Sequence, residues 1–269
     1  MSENPVLLRE DVGRVCRLTL NRPEKKNALS AELVDALVST VEAVGNDPDF
    51  SAIVIRGAGG DFCSGYDLTE YSGEEMSINQ DILAMHNVNA RLEKLFNCPI
   101  PTFAEVQGYC LAGGTDIALS CDFFYVGRSA KIGYPAVRSL GVPPWQLWIY
   151  RVGVQFAKRM LLTGDAIGAD EAIERGLALE AFDDEALPDA VLDIARRTAE
   201  VSRDCLIGNK SVLNTGLDLM GRQELNTFAV MRDAIAHKSP DAVAFMRSLH
   251  SGGGGQAFRA RDSAFEADR

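Results

Sequence analysis

One stretch constrains this chain more than any other. An apolar run from Ile100 to Val106 leads into Gln107-Gly108-Tyr109-Cys110-Leu111-Ala112-Gly113-Gly114-Thr115-Asp116-Ile117-Ala118-Leu119. The run reads as a buried strand, and Thr115 to Cys121 reads as a helix leaving it. Between them lie small residues and a glycine pair, followed by one carboxylate. A strand, a glycine turn and a helix start together present backbone N–H groups to an anion or a developing oxyanion. Glycine lets a ligand approach that backbone closely.

The remaining pattern places this junction in an α/β core. Val6 to Leu8 and Val15 to Leu20 read as a hairpin, and Asn21 to Asn27 as a polar, basic loop. Ser30 is a helix N-cap for a helix from Ala31 to about Val44. Ala52-Ile53-Val54-Ile55 is a strand with both faces buried. Phe62-Cys63-Ser64-Gly65-Tyr66-Asp67-Leu68 is a second strand–turn–helix junction. A polar insertion, Thr69 to Gln80, reads as mobile, and Ile82 to Phe96 as an amphipathic helix. Short strands at Phe123–Val126, Lys131–Gly133 and Leu177–Phe182 alternate with helices near Trp145–Val152, Gln155–Leu162 and Ala169–Arg175. This alternation predicts mostly parallel strands. From Glu185 onward the period is helical only, over Leu187–Val201, Cys205–Leu219 and Arg222–His250. Ser251 to Gly255 reads as a flexible breaker and Gln256 to Arg269 as a polar tail. The expected organisation is a core over residues 1–200 and a helical region over 201–269 that packs on another subunit.

Several function classes are disfavoured. The net charge of −11 argues against nucleic acid or an anionic membrane as the main partner. A polyanionic small ligand needs only a local cluster of donors. No apolar run reaches the roughly 18 residues of a membrane span, and Met1 to Glu10 shows no signal pattern. Six cysteines without CxxC spacing read as reduced and mostly buried, so the expected location is the cytoplasm. There is no GxGxxG, no GxxxxGK[ST] and no metal-ligand spacing. His86, His237 and His250 give no Ser or Cys a clear partner for a nucleophilic triad. Trp145 and Trp148 read as core or pocket wall.

The chemistry-bearing candidates admit two readings each. Ser64-Gly65-Tyr66 and Ala112-Gly113-Gly114 are either two turns that need glycine, or two N–H donors aimed at one carbonyl oxygen. Removing one such donor typically costs roughly 10²–10³ in rate. Asp116, three residues after Gly113, is either a first-turn carboxylate that stabilises the helix dipole or an acid/base facing an acyl group.

Taken together, these stretches resemble the crotonase, or enoyl-CoA hydratase/isomerase, superfamily. Asn21-Arg22-Pro23-Glu24-Lys25-Lys26-Asn27-Ala28-Leu29 is similar to the family's N-terminal loop. Asp61 to Leu68 and Gln107 to Leu119 are similar to its two oxyanion motifs. Leu162-Thr163-Gly164-Asp165, Ala169-Asp170-Glu171-Ala172 and Gly176-Leu177 extend the match into the back half. The resemblance implies a ββα spiral with a C-terminal all-helical oligomerisation region, assembled as a homotrimer or a hexamer built as a dimer of trimers. It implies an acyl-CoA thioester as ligand and no cofactor, coenzyme A being part of the substrate. It implies that the amides of Tyr66 and Gly113 hold the thioester carbonyl and that Asp116 is the acid/base. Lys26, Ala28, Ser64, Gly65, Asp67 and Leu68 would hold the CoA portion, with Lys25 or Lys26 on a phosphate.

The departure from the family is as informative. Hydratases of this family use two glutamates. Asp116 stands at the first, one methylene shorter. The second falls in Gly133-Tyr134-Pro135-Ala136-Val137-Arg138, and the position is Ala136. Syn addition of water needs one group for the water and one for the Cα proton. One carboxylate shuttles one proton, which suits double-bond isomerisation, C–C cleavage or decarboxylation better than ordinary fast hydration. The competing expectation is a catalytically impaired acyl-CoA-binding homologue. Tyr134, Arg138 and Trp145 are candidate replacements for the missing glutamate, and Tyr71, Trp145 and Trp148 candidate walls of the acyl pocket.

Overall fold

The computed structural model describes residues 5–70, 76–252 and 254–266. In chain order the elements are β1 (Leu7–Val12), β2 (Val15–Leu20), α1 (Ala31–Asn46), β3 (Ala52–Gly57), α2 (Ile78–Phe96), β4 (Thr102–Val106), β5 (Tyr109–Leu111) and α3 (Gly113–Ser120). They continue with β6 (Phe123–Gly127), β7 (Lys131–Gly133), α4 (Trp148–Thr163), β8 (Ala166–Ile167), α5 (Ala169–Glu174), β9 (Glu180–Phe182) and α6 (Leu187–Ala199). Four helices close the chain: α7 (Arg203–Leu219), α8 (Arg222–Ala236), α9 (Pro240–Gly252) and α10 (Gly254–Glu266).

The strands form a larger sheet, β1-β2-β3-β4-β6-β9, and a smaller one, β5-β7-β8. β1 and β2 are an antiparallel hairpin, and every later pair of the larger sheet is parallel. In β4-β5-α3 and again in β6-β7-α4, the chain gives a strand to the larger sheet, a strand to the smaller one, then a helix. That repeat is the ββα spiral. The apolar run at β3 has a direct cause. Ile53 and Ile55 pack with Leu33, Leu37 and Leu95 on one face, while Ala52 and Val54 pack with Leu187 and Val191 of α6 on the other. A strand covered on both faces has no polar side to alternate with.

Three expectations change. The insertion after Leu68 is shorter than its composition suggests. Leu68–Glu70 is a 3-10 turn, and α2 starts at Ile78 because Ser77 and Gln80 form a capping box. Residues 71–75, with Tyr71, lie outside the described residues. The run Arg222–His250 is two helices, divided at Ser239-Pro240. The polar tail is helix α10, held by an Arg138–Asp262 ion pair at 3.1 Å, by Arg138 over the Phe265 ring and by Phe258 edge-on to Phe245. The two helices expected on either side of Gly153 are present: Gly153 has φ +73° and ψ 168°, a non-helical break inside the span Trp148–Thr163.

The C-terminal helices are fastened to the core by buried cations. Lys210 reaches the Asp122 carboxylate at 2.6 Å and the Ile100 carbonyl. Arg222, fully buried, makes a bidentate pair with Glu93 at 2.7 Å and a bond to Asp218, with its guanidinium over Phe96 and Trp145. Trp145 and Trp148 are core residues, and neither is on the wall of the main cleft.

Candidate active site

Three segments far apart in sequence meet at the C-terminal ends of β2, β3 and β4. The Cys63 N–H donates to the Tyr109 carbonyl, and the Leu111 N–H donates to the Cys63 carbonyl. The Leu29 N–H donates to the Gly65 carbonyl, and the Asp67 N–H donates to the Leu29 carbonyl. The N-terminal loop and both glycine junctions are thus stitched into one backbone wall. Asn27 sets the loop. It is buried in a left-handed conformation, and its amide donates to the carbonyls of Ala58 and Asp61 while its oxygen accepts from the Arg22 N–H. Arg22 and Lys25 both pair with Asp67, at 2.8 and 3.1 Å. Burial opposes ionisation of Asp67, but Thr69, Arg22 and Lys25 outweigh it and hold its carboxyl well below the usual range. Asp67 is therefore an anchor of the loop.

The two glycine junctions are in contact. Gly65 has φ +114°, and a Cβ there would stand 3.0 Å from the Ala112 Cβ and 3.6 Å from the Gly113 nitrogen. Ala112 itself has φ +48° and ψ −120°, a conformation costing of order 1–3 kcal/mol for a residue with a side chain. The turn it makes starts α3 at Gly113, whose N–H is in the first helical turn and has no intrahelical acceptor. The Tyr66 ring fills the place of a side chain at Gly113: a Cβ there would lie 2.7 Å from the ring.

Asp116 lies behind this wall. It is fully buried, and its Oδ2 accepts from the Tyr66 hydroxyl at 3.1 Å and faces the Tyr134 hydroxyl at 3.5 Å. Its Oδ1 has no hydrogen-bond partner among the described residues. Burial raises its carboxyl well above the ordinary range despite the Tyr66 bond, with Asp233 adding repulsion. The buried site thus favours the acid form of this carboxyl. Burial, with the Asp116 charge next, also raises the Tyr134 phenol well above its usual value.

The cleft in front of this wall has a volume of about 1430 Å³. Lys26, Ala28 and Ser64 line its outer part, and Gly65, Tyr66, Asp67 and Leu68 continue the wall inward. Ala136 faces the same space. Gly113 and Asp116 sit one layer deeper, with Tyr66 and Tyr134 between Asp116 and the cleft. Lys26 places its ammonium 4.0 Å from the centre of the Tyr109 ring. Arg138 is committed to Asp262 and to the Thr163 carbonyl.

Sequence reasoning missed one cluster on this cleft. His237, at the end of α8, faces Asp81 of α2 through Nδ1 at 3.0 Å and Asp233 of α8 through Nε2 at 3.4 Å. The pairing of His237 with Asp81 leaves no local pattern, because the two are 156 residues apart. Asp233 also accepts from the Val142 N–H at 2.9 Å. Burial pushes the Asp233 carboxyl up to about 6 against the pull of His237. Burial disfavours charge on His237, but Asp81 and then Asp233 outweigh it and raise the imidazole above its usual value.

Comparison with known proteins agrees with the motifs and the fold. The enoyl-CoA hydratase/isomerase family profile matches residues 10–245. The 2,3-dehydroadipyl-CoA hydratase of Escherichia coli (strain K12) is 34% identical over 204 residues, 74% of this chain and 78% of the relative. An enoyl-CoA hydratase domain-containing protein 3, mitochondrial, of Danio rerio is 32% identical over 77% of this chain and 72% of the relative. The crystal structure of an enoyl-CoA hydratase from Mycobacterium smegmatis superposes with a TM-score of 0.91 at 36% identity, over 96% of this chain and 94% of that one. An enoyl-CoA hydratase/isomerase from Xanthobacter autotrophicus Py2 gives 0.92 at 30% identity, over 97% and 99%. With the two glycine junctions in contact on a ββα spiral, and with these likenesses running the length of the chain, the protein belongs to the enoyl-CoA hydratase/isomerase family, in the crotonase superfamily.

Proposed function

We propose that this chain processes acyl-CoA thioesters by enolate chemistry of the enoyl-CoA hydratase/isomerase type. The backbone N–H groups of Tyr66 and Gly113 hold the thioester oxygen as charge develops on it. Fixed donors stabilise an oxyanion without reorganising during the reaction. Asp116 is the acid/base for the Cα proton, and the Tyr66 hydroxyl carries that proton between the buried carboxyl and the cleft. The observation that carries the reading is the contact between Gly65 and Ala112-Gly113 at the inner wall of the cleft, directly in front of Asp116. Lys26, Ala28, Ser64, Gly65, Asp67 and Leu68 form the wall that holds the CoA portion. Lys25, Lys26, Lys238 and Arg247 bring cations to the cleft of an acidic protein, as phosphate groups require. The reaction needs no resident cofactor, and we place it in the cytoplasm.

A second reading has its own support. Ala136 offers no carboxylate to the cleft, and Asp116 is reached only past two tyrosines. That arrangement also fits an acyl-CoA-binding homologue with impaired catalysis. Incubating the protein and its Asp116→Ala variant with a panel of acyl-CoA thioesters, followed by mass spectrometry, separates the readings. Product from the wild type but not the variant is expected. The mass change reports hydration, isomerisation, or loss of a fragment by a lyase or decarboxylase. A wild type that binds CoA thioesters and converts none would leave the second reading standing. The assembly we propose is a homotrimer or a dimer of trimers, supported by exposed Leu213 and Leu219 of α7, Met220 just after it, and Phe228 and Met231 of α8. A monomer in light scattering at micromolar concentration would overturn it.

A further inference from the structure

The Asp81–His237–Asp233 cluster lies on the cleft, and the acyl-CoA reading leaves it without a task. From its geometry we infer that Asp233 is a catalytic general base, taking a proton from the water that adds to a 2-enoyl thioester, a task for which position 136 has no carboxylate. This inference rests on the acyl-CoA reading above.

Three observations support it. Asp233, Asp81, His237 and Ala136 all line the same cleft. The segment that carries Ala136 runs on through Gly141 and Val142, and there it receives the carboxylate. Val142 donates its N–H to the Asp233 Oδ1, and a Cβ on Gly141 would lie 2.2 Å from that same oxygen. The absence of a side chain at Gly141 is what lets the carboxylate sit against this segment. The charge balance also fits a working group. A clasp between α2 and α8 needs only Asp81 and His237. Asp233 adds a second carboxylate to one imidazole and faces the cleft with it.

The groups around Asp233 are His237 on its own helix, Asp81 from α2, the Val142 amide from the segment after Ala136, and, at longer range, Asp116 of α3 and Tyr134. Their environments push two carboxyls apart. Burial holds the Asp116 carboxyl well above its usual value, while Asp233, at about 6, is mostly ionised at neutral pH. A carboxyl held toward its acid form behind the wall and an ionised carboxylate on the cleft are the two kinds of partner hydration requires. The step balances. Water oxygen bonds to Cβ as its proton passes to Asp233, and the alkene π pair becomes the enolate on the thioester oxygen. The enolate then returns its pair to Cα, which takes the Tyr66 hydroxyl proton, and Asp116 reprotonates Tyr66. One water is consumed, and solvent resets Asp233 and Asp116.

The test uses the full-length protein and two readouts: hydration of crotonyl-CoA, and deuterium exchange at Cα of butyryl-CoA in D₂O. The second needs the oxyanion wall and Asp116 but no added water. Asp233→Asn keeps an oxygen for the Val142 N–H. It should lower hydration by about 10²–10⁴ while Cα exchange stays within a few-fold of wild type. Loss of both in parallel, or of neither, overturns the inference. A wild type that exchanges Cα and hydrates no enoyl-CoA also overturns it and leaves the acyl-CoA reading intact. A wild type that does neither brings down the acyl-CoA reading itself. His237→Gln supplies an independent check. Removing the imidazolium makes Asp233 harder to ionise, so the acid limb of the hydration pH profile should move to higher pH with the plateau largely kept. An unmoved limb refutes Asp233 as the base.

Discussion

Gly65→Ala tests whether the two glycine junctions are a catalytic wall or only two turns. The wild-type φ of +114° lies outside the wells open to alanine, and the new Cβ would sit 3.0 Å from the Ala112 Cβ and 3.2 Å from the Leu111 carbonyl oxygen. Neither neighbour can turn away, because Ala112 is already held at φ +48° and its N–H is bonded to the Gly133 carbonyl. The backbone strain is of order 1–3 kcal/mol. At ~3 kcal/mol the melting temperature of a chain this long falls by about 6–12 °C. The kinetic effect is the larger one. Relief of the contact moves Ala112 and with it the Gly113 N–H, and loss or misplacement of one such donor costs about 10²–10³ in rate. Gly60→Ala is the control. Gly60 also has positive φ, at +87°, but its Cβ would meet nothing within 4 Å. It carries strain without displacing the wall. Thermal unfolding and acyl-CoA turnover of both variants are the assay. Turnover should fall in Gly65→Ala and hold in Gly60→Ala, even where their melting temperatures are alike. Equal turnover losses in the two, or a Gly65→Ala protein with lower melting temperature and wild-type turnover, would refute the oxyanion assignment.

Three further outcomes follow from buried charge. Asp116→Asn replaces a buried carboxyl whose ionisation burial opposes with a neutral amide, so Cα exchange should drop by about 10²–10⁴ while the melting temperature at pH 7.5 holds or rises; a collapse of the fold would show that the carboxyl is structural. Glu105 is buried beside Arg56 at 3.3 Å, and burial pushes its carboxyl from 4.5 up to about 7. The folded state then holds a proton that the unfolded chain has released, so up to about 3 kcal/mol of stability is lost as pH rises from about 4.5 to about 7. Urea titrations should show a flatter profile for Glu105→Gln across that window, and parallel profiles would contradict the assignment. Arg222→Met strands Glu93 and Asp218 at the edge of the core and should lower the urea-derived stability by about 3–5 kcal/mol; a change below about 1 kcal/mol, the range of a surface pair, would mean the cluster is solvated.

The legible parts of this protein are those whose causes are local. β3 could be read because both of its faces are apolar, α1 because Ser30 accepts the Leu33 N–H, and the two glycine junctions because each places glycine in a short apolar-to-helical transition. Elements stabilised by distant partners were not legible. Helix α10 has a polar, glycine-led sequence, and what orders it is Arg138, 124 residues away. Arg222 opens a run legible only as helical in period, and its full burial between Glu93 and two aromatic rings is set by partners elsewhere in the chain. The same limit governs the site. Position 136 reads as a loss when a carboxylate is sought at one place along the chain. In space, the segment that carries Ala136 continues into Gly141 and Val142, and there an aspartate from α8 meets it with a histidine at its back. The single local trace of that meeting is a glycine just ahead of Val142, where a side chain would strike the carboxylate. Chemistry depends on which groups surround the acyl chain, and two helices brought together by folding can supply what one loop lacks.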